Sequence, residues 1–129
     1  MSKLDRESVI GISALLVHAA NIDEIYSGHE KDLIKNFIKS YLKDEDVNEI
    51  LKKAEDIEHN SNQLLNYTNI IKQNSMNLKK DIIEHLWKVI ISDNSIDQYE
   101  ANLMRRICGL IYFPDKECAE IKLKLLNSK

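Results

Sequence analysis

Apolar residues recur every three or four positions through nearly the whole chain, a helical period that excludes most folds at once. The pattern runs through Leu33, Ile34, Phe37, Ile38, Tyr41 and Leu42, then through Val47, Ile50, Leu51, Ala54 and Ile57. A half-buried strand would alternate with a period of two, and this chain does not. Three glycines and one proline leave too little punctuation for a β-sandwich, a dinucleotide-binding turn or a phosphate loop, which need glycine where the backbone reverses or approaches a ligand closely. At 129 residues and 15.0 kDa the chain fits one compact all-α domain and not two.

The periodicity predicts seven helices, at about residues 5–22, 28–42, 45–60, 62–73, 76–92, 98–112 and 115–127. Start signals stand where they are needed: Ser27 and Asp97 as caps, Asp44 and Ser75 ahead of new apolar series, and Pro114 at a first turn. Residues 58–77 are rich in Asn, Ser and Gln, yet Leu64, Leu65, Tyr67, Ile70 and Ile71 anchor the stretch. It reads as the connection between two halves of a single domain spanning 1–129.

Shifting the sequence by 70 residues lays one half on the other without a gap. Leu16 meets Leu86, Ala20 meets Ile90, Asp23 meets Asp93, Tyr26 meets Ile96, Glu30 meets Glu100 and Phe37 meets Ile107. The halves, about 5–60 and 75–127, read as a duplicated hairpin. Each copy has an apolar helix, a short acidic turn and an amphipathic helix, with the apolar helices placed centrally.

The acidic turns carry the chemistry. Asp93-Asn94-Ser95-Ile96-Asp97-Gln98-Tyr99-Glu100 has the spacing of the second half of a calcium-binding EF-hand loop, and its oxygen donors suit a hard cation. A full loop would also need donors at Val89 and Ile91, so an EF-hand is excluded; Asp23 to Glu30 fails in the same way at Ala19, although Asn21 has an oxygen to lend. Two readings stay open. Ser27 with Glu30, and Asp97 with Glu100, have capping-box spacing, which stabilises a helix start by about 1 kcal/mol. Asp23 and Asp93, however, follow a helix C-terminus, where the dipole disfavours an anion, and so call for turn formation or a cation. Asp23, Glu24, Glu30, Asp93, Asp97 and Glu100 are therefore the candidate metal ligands, for calcium or magnesium.

At these residues the sequence resembles the TerB family of tellurite-resistance proteins, whose signature in each half is roughly A-D-G-x-[IF]-x-x-x-E. Asp93, Ile96 and Glu100 match it, followed by Leu103-Met104-Arg105-Arg106-Ile107, Pro114 and Ile121-Lys122-Leu123. In the first half Asp23, Tyr26 and Glu30 fit, while Glu24 stands where the signature has glycine, as Asn94 does in the second half. The resemblance implies a seven-helix domain with acidic, cation-binding turns, found alone or as a module of larger proteins such as a membrane-anchored J-domain co-chaperone. It implies no reaction.

Other chemistry finds little support. His18, His29, His59 and His85 form no i, i+4 pair and no HExxH motif, and no G-x-S-x-G elbow occurs. His18, in an apolar helix, reads as a core histidine. Cys108 and Cys118 make neither a CxxC pair nor half a zinc quartet; they suggest a reducing compartment, with Cys108 packing as a small hydrophobe. Trp87 reads as core and Lys122 as solvated, and one of Arg105 and Arg106 is expected to pair with a carboxylate. A net charge of -3 and a pI near 5.8 argue against a nucleic-acid partner. Charges in MSKLDRESVI disfavour a secretion signal, and the apolar run Val9 to Ile22, about 14 residues, is short of a membrane span. The expectation is a cytoplasmic, non-enzymatic module that binds a divalent cation or a basic partner through its acidic turns, linked by resemblance to tellurite or stress resistance. Its rival is a metal-free protein-interaction or homodimerisation module whose carboxylates only cap helices and whose apolar patch lies near Tyr41, Tyr67 or Tyr112.

Overall fold

The structure, a computed structural model, describes residues 5–21, 28–43, 45–60, 64–91 and 98–127, with the side chains of 64–67 and 98–100 outside that description. Seven helices and no strand occur among the described residues: α1 (Arg6–Ala20), α2 (Gly28–Tyr41), α3 (Val47–Asn60), α4 (Leu64–Lys72), α5 (Met76–Ile91), α6 (Gln98–Leu110) and α7 (Asp115–Asn127). Each lies within three residues of its predicted bounds. The starts of α1 and α5 are 70 residues apart (76 − 6), and so are those of α2 and α6 (98 − 28).

α1 is the hub. Eleven of its 15 residues are buried, and it packs against α2, α3, α4 and α5. A helix apolar on nearly every side can lie only inside a bundle. Its start is capped by Asp5, whose Oδ1 accepts the Ser8 amide at 2.7 Å. Arg6 ties that end to α3 through Glu45 at 3.0 Å and Glu49 at 3.3 Å. α4 comes close at Gly11: a Cβ there would meet Ile70 Cδ1 at 2.8 Å, so the end of that side chain would have to move. α5 is the second central helix, with Leu78, Ile82, Ile83, Leu86, Trp87 and Ile90 buried, and it packs on α1, α2, α4 and α7.

Two start signals differ in detail from the sequence reading. Asp44 is outside the described residues, and the carboxylate that caps α3 is Asp46, whose Oδ1 accepts the amides of Asn48 at 3.0 Å and Glu49 at 3.4 Å. Pro114 precedes α7, and its carbonyl takes the Cys118 amide at 3.1 Å. Ser75 caps α5 as expected, its Oγ accepting the Leu78 amide at 3.3 Å. α6 closes in a Schellman turn: Tyr112 is left-handed at φ 59° and Phe113 donates its amide to the Cys108 carbonyl at 2.8 Å.

Candidate functional site

The acidic residues proposed as ligands fall at the ends of these helices. Asp23 and Glu24 lie in segment 22–27, and Asp93 and Asp97 in segment 92–97; both segments are outside the described residues. Glu100 is the third residue of α6, with its side chain outside the description, and Glu30 is the third residue of α2. That is the capping-box position in both helices. The Glu30 side chain is buried, only 5% of the residue remaining exposed, and it is engaged by neighbours. His29 beside it is exposed.

A carboxylate not anticipated from the sequence stands at the other end of the first acidic segment. Glu58 of α3 reaches the C-terminus of α1, where Asn21 Nδ2 donates to its Oε1 at 3.2 Å and His18 Nδ1 lies 3.3 Å from its Oε2. Its side chain retains only 16% exposure. His18 is thus not the core histidine expected: its side chain is 37% exposed, at the rim of α1, and Glu58 is its partner. Asn21 caps α1, its amide bonded to the Val17 carbonyl at 2.9 Å. Segment 22–27 thus follows Asn21, whose side chain holds the half-buried Glu58, and precedes the buried Glu30.

A second polar cluster joins α2 to α5. The Tyr41 hydroxyl donates to Asp81 Oδ2, and His85 Nε2 lies 3.7 Å from Asp81 Oδ1. Phe37 packs against both rings, 5.1 Å from Tyr41 and 5.1 Å edge-on to His85. Burial and the Asp81 carboxylate push the Tyr41 phenol well above its ordinary range, while burial holds His85 below the ordinary histidine value. Both rings are consequently neutral near pH 7. With the phenolic hydroxyl on Asp81 and Phe37 over the imidazole, the cluster latches two helices together.

Among the described residues no group of three or more His, Cys, Asp or Glu side chains is placed to hold a metal ion. No ion pair of Arg105 or Arg106 with a described carboxylate occurs, and both are exposed. Trp87 is core, and Lys122, expected to be solvated, has its Nζ 5.6 Å from the Trp87 ring. Cys108 is fully buried among apolar neighbours. Tyr41 is half-buried, the side chain of Tyr67 is outside the description, and Tyr112 is 67% exposed beneath Lys72 Nζ. No described helix is long and apolar enough to cross a membrane.

Comparison with known protein families matches residues 10–123 to the family described as tellurite resistance protein TerB. No curated protein and no solved structure matches the chain. The match begins inside α1 and ends inside α7, taking in both hub helices and both acidic segments, and the chain belongs to the TerB family.

Proposed function

We propose that this TerB-family chain is a non-catalytic, cytoplasmic helical module whose acidic turns bind a divalent cation, calcium or magnesium, serving tellurite or stress resistance. The supporting observation is the pair of carboxylates that bracket the first acidic segment, the half-buried Glu58 beside Asn21 at its start and the buried Glu30 after it. Should the acidic residues of the two turns come together, their like charges would repel, and a hard cation would relieve that repulsion. Asp23 and Asp93 are assigned the principal ligand roles, with Glu24, Glu30, Asp97 and Glu100 beside them. Binding would hold the α1–α2 and α5–α6 hairpins in their folded arrangement and so add to stability. Absence of a nucleophile motif from the sequence supports the non-catalytic reading.

A metal-free protein-interaction or dimerisation module is the second reading, in which the carboxylates only cap helices and an apolar patch takes up the partner. Tyr112 and Leu123, exposed by 67% and 56%, favour it. Calcium, magnesium and zinc titrations at fixed ionic strength, read by amide NMR shifts on wild type and on Asp23→Asn/Asp93→Asn, separate the two. Saturable shifts confined to residues 22–30 and 92–100, lost in the double variant, are the expected result. No shift up to millimolar metal would leave the acidic residues as caps and move the function to the apolar surface.

A further inference from the structure

α7 packs on both α5 and α6, and residues of all three helices line a groove of about 430 Å³. That volume falls in the range of small-molecule sites, about 300–1,000 Å³. Each outer helix contributes one stripe. Ala101, Met104 and Arg105 stand at i, i+3 and i+4 on α6, and Asp115, Ala119 and Lys122 at i, i+4 and i+7 on α7. Trp87 of α5 is buried at the base, and its Nε1 donates to the Cys118 carbonyl at 3.2 Å. That bond occupies the one polar atom of the indole, so the ring offers a ligand apolar surface alone.

We propose that this groove binds a small aromatic carboxylate, its charged group taken by Arg105 and Lys122 and its ring laid on the apolar lining. The inference is independent of the acidic turns. Charge selects the ligand's sign: two cations face one anion, Asp115, so the lining carries a net charge of +1 (2 − 1). That matches one carboxylate and leaves a phosphate dianion half neutralised. Neither cation forms an ion pair among the described residues, so both have donors to give. The Lys122 ammonium is held over the Trp87 ring, its Nζ 5.6 Å from the centroid, which keeps it at the groove. Arg105 is exposed and presents a planar fork that takes a carboxylate through two parallel hydrogen bonds. The rest of the lining selects the ligand's body. Ala101 and Ala119, one on each outer helix, are short enough to leave room for a flat ring, and Met104 and Trp87 give it apolar contact.

The test titrates the folded full chain with benzoate and follows the indole N–H of Trp87, the single tryptophan, by NMR. Wild type is expected to show a saturable shift of that resonance together with the amides of residues 101–105 and 118–122. Benzamide, the neutral analogue, and inorganic phosphate should each bind at least about tenfold more weakly. Arg105→Gln and Lys122→Gln should each weaken benzoate at least about fivefold, and Asp115→Asn should tighten it about twofold to fivefold. No saturable shift up to about 10 mM benzoate would overturn the proposal, as would full affinity in both cation variants. Benzamide at the affinity of benzoate would mark a merely apolar crevice and phosphate at that affinity a plain basic patch, and either would overturn it too. Should a variant lose its helical circular dichroism, the three titrations of wild type decide alone.

Discussion

Removing the Tyr41 hydroxyl tests the latch between α2 and α5. Tyr41→Phe keeps the ring that packs against Phe37 and deletes only the donor to Asp81. A hydrogen bond to a charged group contributes about 1.5–3 kcal/mol when buried. Here the Asp81 side chain is 40% exposed, so water can replace part of the bond and the low end applies. A double-mutant cycle with Asp81→Ala should give a coupling of about 1–1.5 kcal/mol, roughly a tenfold change in the folding equilibrium. Urea unfolding followed through the single tryptophan, Trp87, which is 4% exposed in the fold, measures it directly. With a slope of about 1–3 kcal/mol per molar, a loss of that size in Tyr41→Phe should lower the midpoint by about 0.3–1.5 M at unchanged slope. The bond also has a pH signature. Because folding raises the phenol above its ordinary value of 10.0, its contribution is full below pH 10 and lost as pH rises beyond it, a loss that Tyr41→Phe abolishes. Coupling below about 0.3 kcal/mol, within the error of such cycles, would refute the latch.

Three further outcomes follow from single sites. Ser13 Oγ is fully buried in α1 with no hydrogen-bond partner among the described residues, so Ser13→Ala should stabilise the fold by about 1 kcal/mol in the same urea assay. Gly109 has open space where a Cβ would go, and Gly109→Ala should raise stability by about 0.5–1 kcal/mol; Gly11→Ala, which must displace Ile70 Cδ1, should gain nothing or lose, and equal gains at both sites in thermal melts would refute the packing argument. His85 is held below its ordinary value of 6.5 by burial, so its neutral form stabilises the fold above that pH. Acidification through and below pH 6.5 should reduce stability, and a His85→Gln variant should show a flatter acid limb in urea titrations across that range.

Local signals carried most of the fold. The 3.6 period of α2 and α3 and the Ser75 cap depend on residues within a turn of one another, and the predicted bounds of those helices hold within three residues. What stayed illegible was set by distant partners. His18 looked like a core residue because its neighbours on α1 are apolar, and only the approach of α3 from 40 residues away shows Glu58 at the rim. Asp81 pairs with Tyr41 over the same separation, which no window of sequence reveals. Asp44 and Asp46 are equally good caps by type, and the start of α3 at Val47 selects the second. Glu30 was legible as a first-turn carboxylate, but its burial depends on how α2 seats on the bundle.

The position of the hub in the chain has a consequence during synthesis. α1 is made first, yet its neighbours α3, α4 and α5 come afterwards, and α5 begins 70 residues later. At about 5–20 residues per second, the most apolar helix waits about 4–14 s for its second central partner. Until then it has only α2, α3 and α4 to cover a surface that no part of the finished protein exposes. The order of the helices in the chain thus leaves an apolar helix without its second central partner for that interval.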